Sequence, residues 1–137
     1  PDAIARYRAR ISGPLADRID LKVEAPVPRE AELLAAAPGE ATAAIRQRVR
    51  EAHERQLQRQ GKANAQLDTR ELEAHCAVQP EAEALAKQAI ARLALSARAY
   101  HRVLRVARSI ADLAGAGRIG APHVAEAIQY RRMDAAL

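Results

Sequence analysis

Among the side chains able to do chemistry, two arginines stand apart by their placement. Arg18 lies between Asp17 and Asp20 in "SGPLADRIDLKVEAP", residues 12–26, just ahead of an alternating apolar run. Arg98 follows Ser96 at the start of "SARAYHRVLRVARSIADLAG", in the first turn of an expected helix. A cation there opposes the positive end of the helix dipole, while the free N–H groups of that turn attract anions. A bound phosphate resolves the conflict. The plainer reading has Arg98 pointing into water with Arg102 and Arg105, and Arg18 forming a local ion pair of small value.

The other candidate motifs lack their structural context. "GAGRIG" matches G-x-G-x-x-G at Gly115, Gly117 and Gly120, but it follows a helical pattern, whereas a dinucleotide site needs a strand before the glycines and a helix after them. Gly61-Lys62 is preceded by Gln56 where a phosphate loop needs Gly, and followed by Ala63 where it needs Ser or Thr. His53, His75, His101, His123 and Cys76 show none of the short spacings that gather ligands around zinc. The adjacent pair His75-Cys76 points about 100° apart on a helix and reads as a helix end. No Ser, His and acid grouping stands out. The chain by itself is expected to be catalytically inert, with no metal site and no nucleotide cradle.

These residues are positioned by helices. The 137 residues suffice for one domain with a real core, and the 49% apolar content, largely Ala and Leu with three Tyr and no Phe or Trp, suits close-packed helices. The net charge of +5 invites a nucleic-acid partner, against the alternative of arginines on solvated faces. Arg46, Arg48, Arg50, Arg55, Arg59 and Lys62 form one basic group, and Arg92 to Arg108 holds a second without an acid. No apolar run approaches a membrane span, the start is unlike a signal peptide, and Cys76 is the single cysteine. A soluble, cytoplasmic protein is expected. The opening "PDAI", without Met, predicts a chain taken from something larger.

Ile19, Leu21 and Val23 alternate with Asp20, Lys22 and Glu24 until Pro26 and Pro28, which predicts a strand of about six residues over Ile19 to Glu24. A lone strand needs a sheet that this sequence does not supply. Everything after it reads as helix. A long, thinly apolar helix is predicted from near Glu40 to Gly61, mostly facing solvent or docked on a partner. Asp68 with Glu71 predicts a capped short helix, and Pro80 opens the next, to about Leu93. In the following helix Tyr100, Val103, Leu104, Ala107, Ile110, Ala111 and Ala114 share one side and Arg98, Arg102 and Arg105 the other, with Gly115 as the stop. The last helix runs from about Pro122, with Val124, Ala127 and Ile128 inward and Arg131 and Arg132 in its final turn.

"RISGPLADRIDLKVE", "RQRVREAHERQLQRQGKANAQL", "LSARAYHRVLRVARSIADLAG" and "HVAEAIQYRR" are similar, in the same order, to segments of the magnesium-chelatase-like AAA+ ATPases of the ComM (YifB) type, over nearly the whole chain. The resemblance implies an all-α AAA+ C-terminal helical lid bundle with an N-terminal remnant strand of the nucleotide-binding core. Residues 1–28 would end that core, 29–39 would connect, and 40–137 would form the lid. The resemblance also implies that Arg18, in a segment with Ala16 where the family has Leu, is an arginine finger reaching into a neighbouring subunit's site. Arg98 resembles the sensor 2 residue, which touches the nucleotide of its own subunit, with Arg102 and Arg105 as support. ATP and Mg²⁺ would then belong to the full-length protein, whose partners would be its own AAA+ core, five further copies in a hexamer, and DNA, with no membrane. The implied activity is that of a DNA helicase or branch-migration motor in transformation and recombination. The alternatives are the motor subunit of a magnesium chelatase and a stand-alone helical DNA-binding module.

Overall fold

The computed structural model describes residues 18–23, 25–28, 38–93 and 96–131. Asp17, Glu24, Arg132 and the connector residues 29–37 lie outside the described residues. Five helices follow in order: α1 (Thr42–Gln60), α2 (Thr69–His75), α3 (Pro80–Leu93), α4 (Ala97–Leu113) and α5 (Ala121–Gln129), with a 3₁₀ turn (Asn64–Gln66) before α2. Among the described residues none is longer and more apolar than a membrane span requires, so no helix there can cross a bilayer.

Local chemistry sets the ends. Gly61 closes α1 with φ of 73°, a left-handed conformation that disfavours any residue with a Cβ, and donates its N–H to the Leu57 carbonyl at 2.8 Å. Asp68 accepts from the Glu71 N–H at 2.9 Å while Glu71 accepts from the Asp68 N–H at 2.8 Å, so two orphan donors of α2 are satisfied reciprocally. Lys62 pairs with the same Glu71. Pro80 is the first residue of α3, where a missing N–H costs nothing. Ser96 caps α4, its Oγ accepting from the Ala99 N–H at 3.2 Å.

α4 is the spine. Val103, Leu104, Ala107 and Ala111 are buried along it, and α5, α1 and α2 pack around it while α3 packs on α5. Leu67, Leu72, Cys76, Ala82, Ala86, Ile119, Val124 and Ala127 complete the core. Small Ala side chains let the helices approach closely, and Leu72, Ile119 and Val124 each contribute about 1.5–3 kcal/mol by complete burial. Two loops are stitched by a parallel bridge between Val78 and Ile119, the Ile119 N–H donating to Ala77 and the Gln79 N–H to Ile119, both at 2.9 Å.

Three sequence expectations change. The run Ile19 to Val23 pairs with no strand among the described residues, because the sheet it would join is not in them. Ile19, Leu21 and Val23 are 40%, 52% and 73% exposed, Asp20 and Lys22 are half-buried, and Leu21 and Val23 border a cleft beside Val106, Ile110 and Leu113 of α4. Ala114 is exposed rather than inward, since it is the turn that ends α4. α5 ends at Gln129, so Arg131 lies beyond its final turn, and it is buried. As expected, α1 mostly faces solvent: residues 42–50 are exposed throughout and Ala52 is its one buried residue, while side chains of its second half bond the C-terminal end of α4.

Candidate functional site

α4 carries four arginines at positions 98, 102, 105 and 108, and packing gives each a different environment. Arg108 is fully buried, donating to the carbonyls of Ala116 at 2.6 Å and Gly117 at 3.0 Å and pairing with Asp112 at 3.0 Å. Arg105 donates Nη2 to the Leu67 carbonyl at 2.7 Å, which ties the turn before α2 to α4. Arg102 donates Nη1 to both the Arg18 carbonyl at 2.7 Å and the Asp20 carboxylate at 2.6 Å. Arg98 alone among the four is exposed, with no hydrogen bond or ion pair to any described residue.

The face of α4 that spacing assigned to solvent is therefore covered at Arg102 and Arg105 by the Arg18–Val23 run and the turn at Leu67. Covering follows from the approach of distant segments, which helical periodicity does not report. Arg18 is also exposed, and the local pair expected with Asp20 is absent because Arg102 holds that carboxylate instead. Among the described residues, the guanidinium groups of Arg18 and Arg98 thus have no partner, and they lie on elements joined by Arg102. Arg98 sits about 6 Å along the helix axis from Arg102, at the end where N–H groups await an anion.

The motifs set aside on sequence have structural roles. Gly115, at φ of 70°, ends α4, and the Ala116 N–H returns to the Ala111 carbonyl at 2.8 Å. The "GAGRIG" loop supplies the carbonyls that Arg108 needs. Cys76 is buried at the end of α2, and burial pushes its thiol up from the ordinary value, which makes it a poor nucleophile.

Sequence reasoning missed a buried polar cluster. Asp112, 1% exposed, receives Arg59 through two bonds of 2.6 and 3.0 Å, Asn64 at 2.9 Å, and Arg108. Asn64 in turn donates to Ser109 Oγ at 3.0 Å and accepts from Arg59 and Gln60, both at 2.9 Å. Arg55 adds a bond to the Asp112 carbonyl at 2.8 Å. The available signal was Arg108 and Asp112 at i and i+4 beside the apolar stripe, a spacing that equally describes a surface pair. The cluster fastens α1 to α4 and leaves no acceptor free for a ligand.

The comparisons with known proteins agree with this architecture. Residues 39–131 match the family model "Magnesium chelatase, subunit ChlI C-terminal", and residues 1–33 match "Magnesium chelatase, subunit ChlI". Competence protein ComM of Haemophilus influenzae is 42% identical over 134 residues, covering 97% of this chain and 26% of that protein. The YifB protein of Escherichia coli is 42% identical over 135 residues, covering 98% of this chain and 27% of its own length. The chain spans about a quarter of the length of the curated relatives it matches. With its helical bundle and nearly full-length similarity, the chain belongs to the magnesium chelatase ChlI C-terminal family, in its ComM and YifB branch.

Proposed function

We propose that the chain is the lid, with the last part of the core, of a hexameric AAA+ ATPase that moves DNA, and that Arg98 contacts the nucleotide of its own subunit while Arg18 reaches the neighbour's. In this reading residues 1–28 end the core, 29–39 connect, and 40–137 form the lid, a division supported by the separate matches at 1–33 and 39–131. The observation that carries it is the freedom of Arg98. Three of the four α4 arginines are engaged by acceptors, and the one left over sits at the anion-attracting end of the helix. The exposure of Ile19, Leu21 and Val23 supports it too, since apolar alternation left open to solvent fits a strand whose further covering lies in the core. ATP and Mg²⁺ would be held chiefly by that core.

Arg98→Ala in the full-length protein is expected to weaken ATP binding and turnover together by about 10- to 150-fold, the worth of a charge-assisted contact of about 1.5–3 kcal/mol. A KM for ATP and a kcat both unchanged would rule out the nucleotide contact.

The DNA part is supported by the 42% identity to ComM and by α1, whose solvent-facing half holds Arg46 and Arg50 without an ion pair to any described residue while Arg48 is occupied by Glu40. The 137-residue chain is expected to bind forked DNA with an affinity that falls steeply between about 50 and about 200 mM salt. No binding at the lower salt leaves α1 as a contact between subunits.

A further inference from the structure

We infer that Arg102 and Asp20 are positioning residues that clasp the Arg18 segment to the lid helix, so that movement of α4 moves Arg18. One nitrogen of Arg102 makes both bonds, to the Arg18 carbonyl at 2.7 Å and to Asp20 Oδ1 at 2.6 Å. The Arg102 side chain is 20% exposed and that of Asp20 42%, so water reaches the carboxylate, and the clasp rests on the ion pair and the charge-assisted bond to the Arg18 carbonyl acting together. A second tie lies one turn of extended chain away, where the Lys22 N–H donates to the Tyr130 carbonyl at 3.2 Å, just past α5.

Together these bonds fasten Arg18–Lys22 across the ends of α4 and α5 although 84 residues separate Arg18 from Arg102. The apolar side chains of the run are 40–73% exposed and bury little surface, although Leu21 and Val23 border a cleft beside Val106 and Ile110 of α4. The polar face is the glue. Since Arg98 lies in the first turn of α4, a group pulling on Arg98 would rotate the helix to which the backbone of Arg18 is bonded. The inference rests on the proposed role of Arg18: a phosphate on Arg98 in one site would set the reach of Arg18 into the next, and site occupancy would pass around a ring through one guanidinium.

Two measurements test it. In the 137-residue chain, Arg102→Ala and Asp20→Ala are each expected to raise hydrogen exchange at the Lys22 amide at least tenfold with α4 amides unchanged; unaltered Lys22 protection in both variants overturns the clasp. In the full-length protein, Arg102→Ala is expected to lower kcat about a hundredfold at unchanged KM for ATP, the scale of an ångström-level misplacement of a catalytic group. Arg102→Lys, which keeps several donors on one nitrogen, should recover part of that loss. Adding Arg102→Ala to Arg18→Ala should cost nothing further, since the clasp acts only through Arg18. Full additivity, or normal kcat in both clasp variants beside an inactive Arg18→Ala, overturns the coupling. Normal turnover in Arg18→Ala would instead bring down the proposed function, and the coupling with it, while the exchange result stands by itself.

Discussion

Arg18→Ala in the full-length protein is expected to lower ATP turnover about 10³- to 10⁵-fold while sparing nucleotide binding, a barrier increase of roughly 4–7 kcal/mol. As the terminal phosphoryl group leaves, charge accumulates on its oxygens, and a planar guanidinium meets it with two N–H groups at once. Lysine presents a point charge without that fork, so Arg18→Lys should remain close to the alanine variant. The structure adds a reason for the arginine to be available. Its flanking Asp20 is engaged by Arg102, so this carboxylate does not draw the Arg18 guanidinium back onto its own segment. Single-turnover kinetics with a separate measurement of nucleotide affinity would distinguish lost chemistry from lost binding; near-normal turnover would sink the assignment.

The second large effect concerns stability. Asp112→Ala is expected to destabilise the chain by about 3–5 kcal/mol, because removing one partner of a buried ion cluster leaves the others without compensation. Arg108, with no exposed surface, would keep only the carbonyls of Ala116 and Gly117, and Asn64 would lose the carboxylate it donates to. Against a typical total of about 5–15 kcal/mol, that brings the fold close to its midpoint. A urea titration followed by helical circular dichroism reads the loss directly, and a change below about 1 kcal/mol would contradict the cluster's role.

The same cluster sets an acid-side dependence. Burial by itself would raise the Asp112 carboxyl, but hydrogen bonds from Arg59 and Asn64 and the charges of Arg108 and Arg59 outweigh it and hold the group below its ordinary value. Burial likewise lowers Arg108 from its usual range, opposed by the Asp112 charge. A carboxyl lowered in the folded state contributes stability that is complete above its unfolded value, about 3.9, and is lost as pH falls through the folded value. The gap between the parent chain and Asp112→Ala should therefore be widest near neutrality and narrow as the pH drops below about 4.

What was legible without coordinates was local. Gly61, Asp68 with Glu71, Pro80 and Gly115 act within a turn of their own position, so their cap and stop chemistry could be read in one dimension and recurs in the fold. The apolar stripe of α4 from Val103 to Ala111 was legible for the same reason, a 3.6-residue period being a property of one helix. Ordered similarity of four segments carried the family, since it needs no contact map.

Tertiary structure decided the fate of the charges. Arg59, Asn64, Arg108 and Asp112 read as surface residues until α1 and the loop after α4 close over them, at separations of up to 53 residues. Arg102 and Arg98 have the same side chain and the same helix face, yet among the described residues one is tied to Asp20 and the other has no partner, because the Arg18–Val23 segment reaches only the first. The sequence determined by itself which of the described segments from Thr42 on are helical and, for all but α5, where they stop, because those preferences arise from neighbours along the chain. Which arginine is a strut and which remains available to a phosphate was decided by the fold, because the energy of a charge depends on what surrounds it in three dimensions.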